Sequence, residues 1–228
     1  MDKLKEVLAE SMAGTPAVSV FGLFNVPQSV VATWILMALL TGASFILTRG
    51  MQRIPNGRQT LLELAVGTFN RFCEENLGRH WRSFAPWLFT VAVYIAAANL
   101  SGLIGLAPPT RDLAVTAALA LMSMLLIYGA QFRFRGLGGG LKKFAQPTPV
   151  LLPINLMEVF IRPLSLCMRL FGNVLAAYVI MEMIKTLAPA VVPVAFSLYF
   201  DIFDGLIQTL VFVFLTALFL GESIEEEE

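Results

Sequence analysis

The feature that most constrains this chain is a row of polar side chains inside an apolar segment long enough to cross a bilayer. On a helix each residue turns by about 100°, so the row falls within roughly 80° of one face. Its members are Glu158, Arg162, Ser165, Arg169 and Asn173. An unpaired arginine at the centre of a bilayer costs at least about 2.5 kcal/mol. Arg169, at the centre of this polar stripe, is therefore predicted to face water, an ion path or a partner's carboxylate.

The composition limits the chain to one broad class. Of its 228 residues, 57% are hydrophobic and only 14% are charged, and the mean hydropathy is +0.74. These values predict an all-α integral membrane protein with about five spans. The formal net charge is zero and no basic cluster suggests a nucleic-acid partner. Two cysteines and one histidine are too few for a metal cluster. We expect no metal or other cofactor.

Hydropathy and turn residues divide the chain, which we interpret as one membrane domain over 1–228. The segment 1–27 contains a possible short surface helix at 2–12. The segment 28–131 holds three predicted spans, at 28–47, 83–106 and 113–130. Between the first two, 60–77 has apolar residues at helical spacing but too many charges to span, so it is predicted to be an interfacial amphipathic helix. A basic loop at 133–143 surrounds the flexible glycine run 136–140.

The segment 149–220 is predicted to form a long, steeply tilted helical hairpin. Its first helix, 154–187, would be about 50 Å long, whereas the hydrocarbon core is about 30 Å thick. The helix must therefore tilt, lie obliquely or bend, and Pro163 permits a kink. The second helix, 194–220, returns across the membrane. The acidic tail 221–228 is expected to fray.

Basic residues predict the orientation. Cytoplasmic loops carry an excess of lysine and arginine. With the N-terminus outside, the basic loops at 49–58 and 133–143 both lie on the cytoplasmic side, and five spans place the C-terminus there too. No internal repeat is visible, although many secondary transporters are built from two similar halves.

The last helix carries a second polar patch. Asp201, Asp204 and Gln208 fall within about 60° of one another, and the orientation puts both aspartates in the outer half of the membrane. Glu158 lies in the inner half, and Arg169 separates the two patches. The simpler alternative is internal salt bridging, of Arg162 with Glu158 and of Arg169 with Asp204.

Two further polar residues have open alternatives. Asn99, the one strongly polar residue of the second span, either lines an ion path or makes a hydrogen bond between helices. Glu182 either lines a path or pairs with Lys185 at the interface. Both are retained as candidate ion-translocation residues.

The run PLSLCMRLFGN at 163–173 resembles the signature of subunit a of the F-type ATP synthase membrane sector, of the bacterial and chloroplast kind. The similarity extends to PTPVLLPIN at 147–155, to Glu158, and to Gln208 with the apolar run that ends at Gly221. It covers nearly the whole chain, and the Arg-Leu-Phe-Gly-Asn run is highly specific.

The resemblance implies a stator protein beside a rotating ring of c subunits, in which two offset half-channels pass H⁺ or Na⁺ to ring carboxylates. By resemblance Arg169 is the essential arginine, Asn173 and Gln208 line the contact with the ring, and Glu158 belongs to the inner path. The implied partners are the c-ring, the peripheral-stalk b subunits, the rest of the complex and membrane lipid. The implied location is the cell inner membrane.

The chain has no phosphate loop, so it is expected to be a non-catalytic subunit. The alternative function is an independent ion channel or secondary transporter with an intramembrane arginine. The sequence also departs from the family pattern. The acid usual nine residues after the arginine is replaced by Tyr178, and the asparagine common after the third-span turn is Ala114. We therefore expect the outer relay to consist of Asp201, Asp204 and Glu182.

Overall fold

The computed structural model describes residues 17–20, 24–53, 56–104, 108–144, 152–187 and 192–224. Its α-helices are α1 (Gln28–Thr48), α2 (Gly57–Leu77), α3 (Trp81–Leu100), α4 (Leu113–Phe144), α5 (Leu152–Leu187), α6 (Val192–Ser197) and α7 (Gly205–Ile224). Short 3-10 turns occur at Gly78–His80, Ser101–Ile104 and Pro109–Arg111, and a π-helical segment, Leu198–Asp204, joins α6 to α7. Two short strands, β1 (Ala17–Val20) and β2 (Phe24–Pro27), pair antiparallel just before α1. The surface helix predicted at 2–12 lies outside the described residues.

Five helical stretches among the described residues are long and apolar enough to cross a membrane, which confirms the predicted all-α membrane class. They are Gln28–Thr48, Gly57–Leu103, Leu113–Gly136, Leu152–Met181 and Ala195–Ile224. The second stretch includes α2, because Gly78 turns the chain directly from α2 into α3 with a positive φ of 55°, which glycine adopts at little cost. The interfacial position of α2 stays a prediction.

Helix α7 is the centre of the packing. It contacts α2, α3, α4 and α5. Because lipid tails are as apolar as leucine, close packing and interhelical hydrogen bonds hold such a bundle together. Small residues allow the close approach: Gly221 lies directly against the backbone carbonyl of Asn76. The buried apolar side chains form two clusters around α7, one including Cys73, Leu88, Ile127, Ala217 and Leu220, the other including Ile95, Ala120, Leu166, Leu170 and Phe212.

Two local expectations are corrected by the structure. The glycine run at 136–140 was expected to be a flexible loop, yet α4 continues to Phe144, with non-helical geometry only at Gly136. The acidic tail was expected to fray from residue 221, yet α7 extends to Ile224. Ser223 is buried, and its carbonyl accepts a hydrogen bond from Arg135 Nε at 3.1 Å. Residues 225–228 lie outside the described part.

The second helix of the hairpin was expected to be one uninterrupted α-helix over 194–220. The structure shows that it is interrupted. Residues Leu198–Asp204 form a π-helical segment, and both Asp201 and Asp204 lie on it. Such π-bulges insert a residue into the α-helical ladder and are frequent at functional sites. The local winding therefore differs from the regular helix used to place these aspartates on one face.

Candidate functional site

A cavity of about 640 Å³ opens between α3, α5 and the π-helical segment. We call it the outer cavity. Its polar lining residues are Asn99, Arg111, Asn173, Tyr178, Ser197, Asp201, Asp204 and Gln208. Five of the predicted site residues, drawn from four different helical segments, therefore line one space. A site of this kind offers carboxylates that can accept and release protons, with amides and a phenol that can bind water between them.

Asn99 both lines the outer cavity and joins two helices, so neither alternative given for it excludes the other. Its Nδ2 donates to the carbonyl oxygen of Gly205 at 3.1 Å, and its Oδ1 accepts from the Thr110 hydroxyl at 3.0 Å. The absence of a side chain at Gly205 makes this contact possible, since a Cβ there would lie 2.9 Å from the Cβ of Asn99. Asn99 thus fixes α7 to α3 beside the cavity.

Asn173 and Gln208 meet at the side of the outer cavity. Asn173 Nδ2 donates to Gln208 Oε1 at 3.5 Å, a long hydrogen bond that links α5 to α7. The Nε2 of Gln208 is buried and has no hydrogen-bond partner within the described part of the chain. An unsatisfied buried donor is costly, so this amide is suited to bind water or a group that enters the cavity.

Asp201 is held in place on two sides. Its Oδ2 accepts a hydrogen bond from the Ser197 hydroxyl at 2.5 Å, one turn earlier. On the other side its carboxylate lies against Gly102, where a Cβ would be only 2.5 Å from Oδ1. Gly102 therefore provides the space that the carboxylate occupies. Asp204 lines the same cavity one turn nearer to Gln208.

Tyr178 contacts a residue that the sequence analysis did not select. The guanidinium carbon of Arg111 lies 3.8 Å from the centroid of the Tyr178 ring, a close cation–π contact. Both residues line the outer cavity. Arg111 lies between the predicted spans at 83–106 and 113–130, and its only sequence signal is a basic residue in a short loop between two apolar segments.

A second charged cluster joins α5 to the end of α7, and we call it the inner cluster. Arg162 forms salt bridges with Glu158 at 2.6 Å and with Glu222 at 3.2 Å. Its guanidinium also lies 4.7 Å from the ring centroid of Phe219. The predicted pairing of Arg162 with Glu158 is thus present, and Glu222 is an additional partner that spacing within α5 could not indicate.

Arg169 lies on α5 between the two clusters, about 10 Å along the helix axis from Arg162 and about 6 Å from Asn173. It is exposed. Arg169 and Asp204 are both described, and no salt bridge joins them. The alternative pairing of Arg169 with Asp204 is therefore not formed. Among the described residues no carboxylate pairs with the Arg169 guanidinium.

The structure thus separates the predicted site residues into groups. Asn99, Asn173, Asp201, Asp204 and Gln208 surround the outer cavity. Glu158 belongs to the inner cluster, and Arg169 lies between them. The side chain of Glu182 is not among those described, so its place in the outer relay stays a prediction.

Five apolar helical stretches, with the outer cavity and the inner cluster formed between them, define a multi-span helical membrane protein. More particularly, the chain belongs to the ATP synthase A chain family, whose model matches residues 30–221. The matched residues include the lining of the outer cavity and all of the inner cluster except Glu222. The match confirms the resemblance found in the sequence. The protein is therefore a component of the ATP synthase membrane sector, with a role in ion transport and ATP synthesis.

Proposed function

We propose that this chain is the stator ion-channel subunit of a rotary F-type ATP synthase, and that it passes ions to and from the carboxylates of a rotating c-ring through two offset half-channels. The observation that carries the proposal is the position of Arg169, which has no salt-bridge partner among the described residues, between the outer cavity and the inner cluster. The chain itself does no chemistry on nucleotides in this account. The c-ring and the b subunits are its proposed partners in the inner membrane.

The outer cavity is the proposed outer half-channel. A proton that enters it meets Asp201 and Asp204, which can accept and release it. From there it reaches the amide pair of Asn173 and Gln208, which lies about one helical turn from Arg169 on the polar stripe of α5. A ring carboxylate that faces this stripe would be loaded at that point. Because the Gln208 Nε2 has no partner among the described residues, it can bind the last water of this route.

The inner cluster is the proposed start of the inner half-channel. Arg162 is shared by Glu158 and Glu222, so one positive charge faces two negative charges. Counted over these three side chains alone, the formal charge is −1, which favours the arrival of a cation released from the ring. Glu222 is also exposed, so it can exchange protons with water at the end of α7.

Arg169 is the proposed barrier between the two paths. A fixed cation favours the ionised form of a carboxylate beside it, so a ring carboxylate that passes Arg169 releases its ion. The same charge repels free cations and prevents a leak between the half-channels. Arginine suits this role because it does not deprotonate in proteins. An independent channel or transporter would need no ring, and the family match gives that alternative no support.

Thiol labelling from each side of the membrane tests the two paths and the orientation. Ala177 lines the outer cavity and Gly138 is exposed beyond the kink of α4. We expect Ala177→Cys to react with a membrane-impermeant thiol reagent from the outside and Gly138→Cys from the cytoplasmic side. The native cysteines, Cys73 and Cys167, are buried and give little background.

Leu125→Cys is the matched control, because Leu125 is exposed on the apolar surface of α4 and should not react from either side. Reaction of Ala177→Cys only from the cytoplasmic side would contradict the outer half-channel. Reaction of Gly138→Cys from outside would reverse the proposed orientation. The complex should also purify with a ring of small subunits that each carry a membrane-buried carboxylate.

A further inference from the structure

Arg111 is the one basic side chain among the described residues that line the outer cavity. We propose that Arg111 is a specificity-determining residue: its positive charge lowers the attraction of the cavity for metal cations while leaving the aspartates free to relay protons. This inference rests on the proposed function of the cavity as an ion path.

The backbone around Arg111 is well fixed. Arg111 ends the 3-10 turn Pro109–Arg111, and its N–H donates to the carbonyl oxygen of Pro108 at 3.0 Å. Pro109 and Thr110 are buried, and the Thr110 hydroxyl donates a hydrogen bond to Asn99 Oδ1. The guanidinium is then placed over the ring of Tyr178 at 3.8 Å. The Arg111 side chain is thus fixed at its backbone and at its guanidinium, so its charge acts at a defined position in the cavity.

No carboxylate in the part of the chain that the structure describes neutralises the charge of Arg111. Within the described part of the chain Arg111 forms no salt bridge. The adjacent Asp112 is engaged elsewhere: its Oδ2 accepts from the Ser29 hydroxyl at 2.6 Å, and its Oδ1 accepts from the backbone N–H of Ala114 at 3.0 Å, which caps α4. The full positive charge of Arg111 therefore acts on ions in the cavity.

Tyr178 explains how the charge stays available. An acid at this position, as the resemblance would have it, would stand within reach of Arg111, pair with it and cancel its charge. The aromatic ring of tyrosine holds the guanidinium by a cation–π contact instead, and this contact leaves the positive charge in place. The tyrosine at position 178, in place of the acid usual in the family, thus removes a proton carrier and also changes the electrostatics of the outer cavity.

The consequence for ions follows from the charges that line the cavity. Among the described lining residues, Asp201, Asp204 and Arg111 together give a formal charge of −1, which becomes −2 without Arg111. A metal cation must enter with its charge and hydration shell. The occupancy of the cavity by metal cations therefore depends steeply on the formal charge of its lining. A proton is taken up by a carboxylate and neutralises it, so its passage does not require a free cation beside the guanidinium. Arg111 therefore disfavours metal cations more than it disfavours protons.

Charge-selective labelling of the whole complex tests this inference. Ala177→Cys places a thiol in the cavity lining, and its rates of reaction from the outside are measured with cationic, anionic and neutral methanethiosulfonate reagents. Arg111→Gln should raise the ratio of cationic to anionic rates by about tenfold. Arg111→Lys keeps the charge and should leave that ratio within about twofold of the parent. Tyr178→Glu, which supplies a neutralising partner, should raise it as Arg111→Gln does.

The neutral reagent distinguishes a failure of the proposed outer half-channel from a failure of the proposed role of Arg111. If it does not reach Ala177→Cys from the outside, the cavity is not the outer path, and the proposed function and this inference both fail. If it reaches the thiol but neither Arg111→Gln nor Tyr178→Glu changes the charge ratio, only the role of Arg111 is overturned. Arg79→Gln, an exposed arginine outside the cavity lining, is the matched control and should leave the ratio unchanged.

Discussion

Asn173 on α5 donates a hydrogen bond to Gln208 on α7 at 3.5 Å, and this contact joins the two long helices beside the outer cavity. The contact fixes how α5 is aligned with the last helical hairpin arm. It places Asn173 beside Gln208, and Tyr178 beside the π-helical segment. The distance is near the upper limit for a hydrogen bond, so either amide can turn to bind water.

The first prediction concerns that amide pair. Gln208→Leu removes the acceptor of Asn173 and the buried Nε2 that has no partner among the described residues. The change should cost little stability, because it removes the unsatisfied buried amide and leaves the half-buried Asn173 able to donate to water in the cavity, but ATP-driven ion pumping should fall severalfold. The measurement is pumping per assembled complex in vesicles. Pumping at the parental rate would remove Gln208 from the path.

The second prediction concerns the outer carboxylates. Asp201→Asn with Asp204→Asn keeps the shape of both side chains and removes the two carboxylates among the described residues that line the cavity. Coupled ion flow should slow by at least about tenfold, since positioned acid–base groups commonly contribute that much or more. Glu75→Gln, an exposed residue of α2, is the control and should pump normally. A double variant that pumps as well as this control would show that protons take another route.

The third prediction tests the space beside Asp201. Gly102→Ala would put a Cβ 2.5 Å from Asp201 Oδ1, so the carboxylate must turn away and lose its hydrogen bond from Ser197. We expect reduced pumping in a complex that still assembles. Gly129→Ala, where no atom lies within 4 Å of the added Cβ, is the matched control. Equal pumping by the two variants would mean that the position of Asp201 does not matter.

The fourth prediction concerns stability. Gly221 on α7 lies directly against the backbone carbonyl of Asn76, so a Cβ there requires α2 and α7 to separate. Gly221→Ala should destabilise the chain by about 1–3 kcal/mol, as expected for overpacking against backbone. Thermal unfolding in detergent measures this, with Gly67→Ala as an unobstructed control. An unchanged unfolding temperature would show that the α2–α7 contact yields without cost.

Much of this arrangement could be predicted from the sequence, because it depends on local periodicity. The bounds of α1 and α5 follow from apolar runs that end at turn residues, and the stripe around Arg169 follows from 3.6-residue spacing. The pairing of Arg162 with Glu158 follows in the same way, since both lie on one helix four residues apart. These features need no knowledge of how the helices pack.

The rest depends on contacts between distant segments. Glu222 reaches Arg162 across 60 residues, and Arg111 reaches Tyr178 from a short turn, so helical periodicity carries no signal for either. The π-helical segment at Leu198–Asp204 also escaped prediction, because a shift in backbone hydrogen bonding has no distinctive residue pattern. The glycines at 136–140 suggested a flexible loop, yet helical hydrogen bonds continue past the kink at Gly136.

The central claim is that Arg169 separates two half-channels, and the most direct test compares passive flux with ATP-driven pumping in the same reconstituted vesicles. Arg169→Ala removes the fixed charge that lies between the outer cavity and the inner cluster. Pumping should stop, while passive ion leak through the membrane sector should persist or rise because the barrier to cations is gone. Arg169→Lys should not restore full coupling, since an ammonium facing the ring inside the membrane deprotonates more readily than a guanidinium. Pumping by Arg169→Ala at near the parental rate would contradict the account.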